Sequence, residues 1–462
     1  MTVSLLAPTA WLADGWAHDV RIDIADDGEI VSVERDAGAR PPPAQTGPPV
    51  ERVRGPLLPG IANVHSHAFQ RAMAGMTQRG GPQGDSFWAW REQMYRFLER
   101  LDPDDVETIA TQLYIEMLQA GYTAVGEFHY LHHDARGRSY ADPAEIGRRI
   151  VAAAAAAGIG LTLLPVLYAH GGFDGQPAAP AQRRFVCDPE RYRRIVENLA
   201  AEPGCTLGFA PHSLRAVTPS ELQLLLDLRH ALRPAAPVHI HVAEQLGEVE
   251  DCLYWSGQRP VEWLMWNAPL DSHWCLVHAT QMRELEAAAL GCRGAVVGLC
   301  PSTEADLGDG LFNAEPYGLA GGRIGIGSDS HVCVDPFAEL RWFEYGQRLH
   351  RRRRNLFERR PQQSVGAALY RAAAAGGAQA LGQPTGAIVP GRRADLVVLD
   401  EDDPALAEQR GDGLLDAAIF GPARRPVRDV MVGGRWVVRD GVHALAEESL
   451  ARYRALLRRM LD

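Results

Sequence analysis

The alternation of apolar and polar residues predicts β-structure at both ends of the chain. Short segments near the N-terminus, such as 20–24, follow the two-residue period of a strand with one exposed face. Segments 394–399 and 427–438, near the C-terminus, behave similarly. Because two β-rich ends flank a long middle, we predict that residues 1–58 and 381–462 fold together as one small β-sandwich module.

The middle of the chain, residues 59–380, alternates short apolar runs with longer segments of helical period, for example 104–120 and 219–232. The predicted strands are 61–68, 123–129, 161–167, 206–210, 238–242, 274–278, 295–299 and 323–327. Eight strands in alternation with helices are typical of a (β/α)₈ barrel of TIM type, an α/β fold. We therefore predict that residues 59–380 form such a barrel as the catalytic domain.

Polar residues gather where these predicted strands end. They are His65, His67, His129, Tyr130, His212, Arg215, His241, Glu244, His278 and Asp329. In (β/α)₈ barrels the functional residues lie at the carboxyl ends of the strands. Unrelated polar residues would not collect at one end of eight strands, so this end is predicted to carry the chemistry.

Two histidine pairs, His65 with His67 and His239 with His241, have the spacing that places two side chains on one face of a strand. Each pair can aim two imidazoles at one point. The carboxylate of Asp329, at the end of a third strand, completes a nitrogen-rich donor set for a divalent cation with one position open. We predict Zn²⁺ at this site, and Fe²⁺ fits the same ligands.

The chain contains no lysine, so its 47 basic residues are all arginine. This absence excludes a binuclear centre bridged by a carbamylated lysine, as in hydantoinase-like enzymes. It also excludes Schiff-base chemistry, pyridoxal-phosphate attachment and a phosphate-loop lysine. We therefore expect one metal ion per chain.

Charge and cysteine content limit the partners and the compartment. The formal charge of −11 argues against nucleic acid or an anionic membrane as a main partner. Seven scattered cysteines without C-x-x-C spacing indicate reduced thiols in a cytoplasmic protein. Residues 1–16 lack the basic start of a signal peptide, and the alanine-rich stretch 151–157 is too short to span a bilayer.

Segments at the predicted strand ends follow one another in an order found in a known superfamily. They are Pro-Gly-Ile-Ala-Asn-Val-His-Ser-His (59–67), His-Val-Ala-Glu (241–244), Val-His-Ala-Thr (277–280) and Gly-Ser-Asp-Ser-His (327–331). Together with segment 390–400 they resemble the amidohydrolase superfamily over nearly the whole chain. Further matching segments are 65–75, 87–91, 127–133 and 300–310. Within the superfamily these are most similar to the N-formimino-L-glutamate deiminases, although Asp306 replaces an asparagine common in that family.

The resemblance implies a role for each residue at the site. The expected metal ligands are His65, His67, His241 and Asp329. The expected substrate-binding residues are Gln70, Arg91, Tyr130, His212 and Arg215. Glu244, three residues beyond a ligand, is the expected proton carrier. His278 is expected to polarise the substrate or orient the water, Asp329 to accept the water proton as well, and His239 to be structural.

The predicted reaction converts N-formimino-L-glutamate and water into N-formyl-L-glutamate and ammonia, a step of histidine degradation. A metal lowers the pKa of bound water to about 7, which supplies hydroxide to attack the formimino carbon. Cleavage of the other bond would give glutamate and formamide, and only the resemblance distinguishes the two outcomes. It also implies a homodimer that acts on a small-molecule substrate.

Two other functions remain open on the residues alone. The first is a related deaminase for a purine, pterin or aminotriazine ring, which needs stacking surfaces and amide donors rather than several arginines. The second is a catalytically silent metal-binding scaffold. Glu244 and His278 argue against the scaffold because it needs no proton carrier.

Overall fold

The computed structural model describes residues 3–37, 50–78, 87–358, 360, 362–421 and 426–461. Strands form where short apolar runs lie between turn residues. Within these ranges the strands are β1 (Val3–Leu12), β2 (Gly15–Ile24), β3 (Ile30–Glu34), β4 (Val50–Arg52), β5 (Leu57–Pro59), β6 (Ile61–Ser66), β7 (Tyr122–His129), β8 (Gly160–Leu167), β9 (Cys205–Leu207), β10 (Ala210–Pro211), β11 (Val238–Val242), β12 (Trp274–His278), β13 (Val296–Leu299), β14 (Arg323–Ile326), β15 (Leu396–Leu399), β16 (Val427–Val432), β17 (Arg435–Arg439) and β18 (Val442–His443).

Strands β6 to β14 form a parallel barrel. The order runs from β6 through β7, β8 and the broken strand β9–β10 to β11, β12, β13 and β14. The barrel closes where Asn63 pairs with Ile326 and where Phe209 pairs with Val238. Nearly all of these residues are buried, because helices cover the outside and side chains fill the interior. The predicted barrel is confirmed, and the predicted strand 206–210 is two short strands.

A second sheet joins the two ends of the chain. Its order is β18-β17-β16-β15-β5-β1-β2-β3, with β4 beside β1. The N-terminal and C-terminal parts meet where β15 pairs antiparallel with β5, with Val398 opposite Leu57. Buried residues of β1 and β2, such as Leu5 and Ile22, form an apolar core separate from the barrel. The predicted module from both chain ends is confirmed, while its boundaries at 58 and 381 stay a prediction.

The helices pack mainly around the barrel. They are α1 (Phe87–Leu98), α2 (Pro103–Ala120), α3 (Glu145–Ala157), α4 (Pro189–Leu199), α5 (Pro219–Leu232), α6 (Leu246–Ser256), α7 (Pro260–Asn267), α8 (Glu284–Gly291), α9 (Pro301–Leu307), α10 (Ala314–Leu319), α11 (Pro336–Arg351), α12 (Val365–Leu381), α13 (Gly413–Phe420) and α14 (Ala446–Leu461). A 3₁₀ helix, Ala68–Met73, follows β6 directly. No helix in the described ranges has both the length and the apolar composition that a membrane crossing needs.

Local sequence explains where these helices start and stop. Asp102 accepts a hydrogen bond from the Asp105 backbone N–H at 2.8 Å, and the Asp105 carboxylate accepts one from the Asp102 N–H at 3.1 Å. Pro103 suits the first turn, and α2 ends at Gly121 with a φ of 104°. This capped helix packs on β7 and fixes the strand that follows it.

Candidate metal centre and active site

Four donor atoms converge at the carboxyl end of the barrel. The Nε2 atoms of His65 and His67 are 3.1 Å apart, and the Nε2 of His241 is 2.9 Å from that of His65. Asp329 Oδ1 lies 3.2 Å from His67 Nε2 and 3.4 Å from His65 Nε2. Ligands held about 2.0–2.1 Å from a tetrahedral Zn²⁺ lie about 3.3 Å from one another. All four residues are buried, and the donor set fits one divalent cation.

Backbone contacts aim two of these imidazoles. His67 Nδ1 donates to the Phe128 carbonyl at 2.9 Å, and His241 Nδ1 donates to the His212 carbonyl at 3.1 Å. Each bond fixes the tautomer that leaves Nε2 free for a metal. Asp329 is held by its backbone N–H, which donates to the His65 carbonyl at 3.0 Å.

The electrostatics of the cluster favour a cation. Burial lowers the pKa of His65 to about 3, and burial also lowers the pKa values of His67 and His241. Burial raises the pKa of Asp329, but the hydrogen bond with His65 and the electrostatic effect of the surrounding histidines outweigh it and lower that pKa. At neutral pH the set is therefore three neutral imidazoles and one carboxylate, which suits a divalent metal.

His239 has a different environment. Its Nε2 lies 2.7 Å from the carbonyl oxygen of Ala380 in α12, and it faces away from the four donors. Burial lowers the pKa of His239 to about 4, so its Nε2–H donates as a neutral imidazole. The structure thus places His241 in the cluster of four donors, whereas His239 links β11 to α12 by a hydrogen bond.

Glu127, a buried carboxylate in β7, lies behind the His65–Ser66–His67 segment. It accepts hydrogen bonds from Ser66 Oγ at 2.5 Å, from the Ala68 backbone N–H at 2.7 Å and from Tyr114 OH at 3.1 Å. Burial raises its pKa to about 7, against the effect of these three donors. Sequence reasoning missed this residue, although a single carboxylate in an apolar strand was a signal. By holding the residues on both sides of His67, Glu127 positions the His67 imidazole without joining the four donors.

Glu127→Ala is expected to weaken metal binding by about 10- to 100-fold, because the backbone around His67 loses its acceptor. The buried Ala68 N–H and Tyr114 OH would lose their acceptor, at about 1–3 kcal/mol each, so the unfolding temperature should also fall. Metal affinity is measured by competition with a chromophoric chelator.

Glu339→Ala is the matched control. Glu339 is also fully buried and also accepts bonds from a backbone N–H and a hydroxyl, both of Ser302. It should lower the unfolding temperature and leave metal affinity unchanged. Equal losses of metal affinity in both variants would show that Glu127 acts only through general stability.

His278 and Glu244 lie next to the metal ligands. His278 Nε2 is 3.9 Å from Glu244 Oε1 and 3.9 Å from Asp329 Oδ2, while its Nδ1 lies 3.3 Å from Glu304 Oε1. Burial lowers the pKa of His278, but the three carboxylates outweigh it and raise that pKa to about 10. Burial raises the pKa of Glu244, partly offset by His278 and Arg215. These groups can exchange a proton beside the open face of the metal site.

Strained backbone and buried carboxylates hold His278, Asp329 and Glu244 in place. His278 and Asp329 have φ values of 68° and 46°, a left-handed conformation that residues other than glycine rarely adopt. The carboxylate of Glu248 accepts from the backbone N–H groups of Ala243 and Glu244, both at 3.1 Å. Glu248 and Glu304 were not predicted as site residues, because their contacts depend on turns that periodicity does not define.

A cavity opens above the four donors. It is lined by all five predicted substrate-binding residues, which are Gln70, Arg91, Tyr130, His212 and Arg215, and also by Glu244, His278 and Asp329. Gln70 Nε2 donates to Tyr130 OH at 2.9 Å. The buried Nε of Arg215 has no hydrogen-bond partner among the described residues. Further lining residues, none of which was predicted to bind substrate, are Trp90, Met94, Tyr95, Tyr168, Phe185 and Leu307.

Comparison with known proteins agrees with this geometry. The family model "Amidohydrolase family" matches residues 57–437, and the model "Formimidoylglutamate deiminase HutF, N-terminal domain" matches residues 2–44. The chain therefore belongs to the amidohydrolase family. It is 54% identical over 462 residues to the formimidoylglutamate deiminase of Pseudomonas aeruginosa, which covers 99% of this chain and 100% of that protein.

Other relatives share the architecture. The 8-oxoguanine deaminase of Pseudomonas aeruginosa is 28% identical, with 94% of this chain and 93% of that protein covered. The crystal structure of an amidohydrolase from Brucella melitensis has a TM-score of 0.92 and 48% identity, with both chains fully covered. An adenosine deaminase from Xanthomonas campestris with bound zinc has a TM-score of 0.79 at 22% identity, covering 99% and 98%, and shows the shared fold.

Proposed function

We propose that this protein is a metal-dependent hydrolytic deaminase that converts N-formimino-L-glutamate and water into N-formyl-L-glutamate and ammonia, a step of histidine degradation. The observation that carries the proposal is the placement of the two arginines. Arg91 and Arg215 line the same cavity as the metal ligands His67, His241 and Asp329. A small dicarboxylate with a hydrolysable C=N carbon fits this combination. The named relative at 54% identity supports the same substrate.

The glutamate moiety has two carboxylates, and the planar fork of arginine binds carboxylates bidentately. Arg215 suits this role because its buried Nε–H has no hydrogen-bond partner in the part of the chain that the structure describes. A bound carboxylate would pair this donor and recover the free energy of its desolvation. Tyr130 and Gln70, already bonded to each other, and His212 complete the polar wall of the cavity.

His65, His67, His241 and Asp329 would hold the metal, for which we propose Zn²⁺, with Fe²⁺ as the alternative that the same donors accept. When bound, the ion supplies Lewis acidity and a hydroxide nucleophile at neutral pH. Asp329 has a second oxygen, Oδ2, that faces His278 and can accept the proton of the attacking water.

Glu244 is the proposed proton carrier from the attacking water to the departing nitrogen. Its raised pKa brings it closer to neutral pH, where a carboxyl group both accepts and returns a proton effectively. His278 is oriented by Glu304 and donates toward the reacting centre. Loss of ammonia then leaves N-formyl-L-glutamate.

The substrate is tested by ammonia release from N-formimino-L-glutamate beside guanine, 8-oxoguanine and adenosine. We expect turnover of the linear amidine and none of the rings above background, with N-formyl-L-glutamate as the product. A preference for a ring would establish the alternative deaminase. Formation of glutamate and formamide would contradict the proposed bond cleavage.

Arg215→Met is expected to raise the KM for N-formimino-L-glutamate by about 10²-fold, the value of a charge-assisted bidentate contact, with a smaller change in kcat. A substrate analogue that lacks the α-carboxylate and an analogue that lacks the side-chain carboxylate identify the group bound. The parent protein should turn over both analogues less well than the full substrate. Arg215→Met should no longer distinguish the full substrate from one of the two analogues, namely the one that lacks the carboxylate bound by Arg215. Arg194→Met, on the exposed face of α4, is the control. Undiminished discrimination against both analogues would remove Arg215 from the substrate site.

We further propose a cytoplasmic homodimer. All seven cysteines are free thiols, which supports a reducing compartment. Large apolar side chains are exposed on the neighbouring helices α6, α7 and α8, where Tyr254 is 96%, Trp266 79% and Leu285 85% exposed. Exposed apolar side chains of this size on adjacent helices support association between chains. Sedimentation should give a dimer that Trp266→Glu dissociates, and a monomer at micromolar concentration would contradict the proposal.

A further inference from the structure

A second set of ligand atoms lies beside the proposed metal centre. A ring nitrogen of His278, the Sγ of Cys300 and a carboxylate oxygen of Asp329 lie within 4.8 Å of one another, and all three residues are buried. We propose that this set is an inhibitory second site for a soft divalent cation such as Zn²⁺ or Cd²⁺. The inference rests on the proposed function because Asp329 is shared with the first site.

The two oxygens of Asp329 face different donors. Oδ1 lies 3.2 Å from His67 Nε2 and 3.4 Å from His65 Nε2, so it faces the first site. Oδ2 lies 3.9 Å from His278 Nε2, on the other side of the carboxylate. A carboxylate in this position can bridge two cations, with one oxygen on each, and needs no lysine.

His278 has the surroundings of a metal-binding histidine. Its Nδ1 pairs with the buried carboxylate of Glu304 at 3.3 Å, the partner that usually orients such a ligand. Its Nε2 then faces both Asp329 and Glu244, each at 3.9 Å. The left-handed backbone at His278 and Asp329 fixes both side chains, so the site is formed before a cation arrives.

Cys300 supplies the selectivity. It is fully buried at the end of β13, and its thiol forms no side-chain hydrogen bond within the described residues. Thiolate ligands favour Zn²⁺ and Cd²⁺ over Mg²⁺ and Ca²⁺. Binding would form a metal–sulfur and a metal–nitrogen bond and release the thiol proton of Cys300 and the Nε2 proton of His278 to solvent. The carboxylates of Glu244 and Asp329 beside His278 offset the added positive charge.

Occupation of this site would stop catalysis without displacing the first metal. A cation on His278 Nε2 takes the atom that faces the reacting centre, and it also ties up the second oxygen of Asp329. The rate of ammonia release should then fall by about 10²-fold, the contribution of a positioned acid–base group. Excess zinc is therefore expected to inhibit the protein.

The test titrates Cd²⁺ into protein loaded with one equivalent of Zn²⁺ and follows the ultraviolet charge-transfer absorption of a Cd–thiolate bond together with ammonia release. Exposed Cys292 is replaced by serine throughout to remove surface binding. Exchange of Cd²⁺ into the first site gives no thiolate band because that site contains no sulfur. If the second site exists, the thiolate absorption should correspond to one Cd²⁺ per chain. It should rise over the same Cd²⁺ concentrations at which ammonia release falls.

Cys300→Ser should abolish both the Cd–thiolate absorption and the inhibition by Cd²⁺. The variant should still bind one equivalent of Zn²⁺ at the first site and keep the uninhibited rate of ammonia release. Cys275→Ser is the matched control, since Cys275 is equally buried in the same apolar cluster, and it should retain both. Protein that binds one Zn²⁺ at the first site but shows no thiolate absorption with Cd²⁺ would overturn the second site alone. Thiolate absorption that persists in Cys300→Ser would do the same. Protein that binds no Zn²⁺ at the first site would overturn both the proposed metal centre and the second site.

Discussion

Glu244→Gln is expected to lower kcat for ammonia release by about 10³-fold, within the range that a positioned acid–base group contributes. Glutamine has nearly the same shape but cannot carry a proton from water to the departing nitrogen. The KM of the variant should stay within a few-fold of the parent value, because the substrate carboxylates bind to the arginines of the cavity and not to Glu244. Steady-state kinetics on protein loaded with one metal per chain measure both parameters.

The pH dependence of the same variant identifies the group. Burial raises the pKa of Glu244, so the carboxylate takes up its proton at a higher pH than an ordinary glutamate. Activity that needs the carboxylate therefore declines as the pH falls through this raised pKa. Glu244→Gln should lose that acidic limb, whereas Glu250→Gln, on an exposed position of α6, should keep it. Full turnover of Glu244→Gln with metal bound would contradict the mechanism.

Asp329→Asn should have the largest effect, with kcat lowered by about 10⁴-fold and weaker metal binding. The substitution removes the one anion from the donor set, and it replaces one of the two oxygens that face His65 and His278 with an amide NH2. Metal content by atomic emission and kinetics with excess metal separate the two losses.

Because Asp329 and Glu244 act on the same proton transfer, the double variant with Glu244→Gln should be little slower than Asp329→Asn alone. Asp335→Asn is the control, since Asp335 follows the same strand but caps α11. Independent, multiplicative losses in the double variant would show that the two carboxylates serve separate steps.

The barrel and the pairing of His65 with His67 could be predicted because they depend on local periodicity. A strand places His65 and His67 on one face whatever surrounds it, and the structure has their Nε2 atoms 3.1 Å apart. The break between β9 and β10 could not be predicted, since it depends on Phe209 pairing across to Val238. The choice of His241 over His239 depends on a contact between His239 and Ala380, 141 residues away in sequence.

The residues that hold the site together were beyond sequence reasoning for the same physical reason. Glu127 in β7 bonds to Ser66 of β6, and Glu304 in α9 bonds to His278 at the end of β12, so both contacts join different elements. Their effect comes from burial and from the groups they meet, and both follow only from the folded chain. The cavity wall likewise combines Tyr95 of α1 with Tyr168 and Phe185 of the β8–α4 connection, which no single pattern along the chain links.

The most direct test of the account is a titration of metal-free protein with Zn²⁺, in which bound metal and ammonia release from N-formimino-L-glutamate are measured on the same samples. The rate should rise in proportion to bound metal and reach its maximum at one ion per chain, with one N-formyl-L-glutamate formed for each ammonia. A full rate in protein that holds no metal, or a maximum reached only at two ions per chain, would contradict the account.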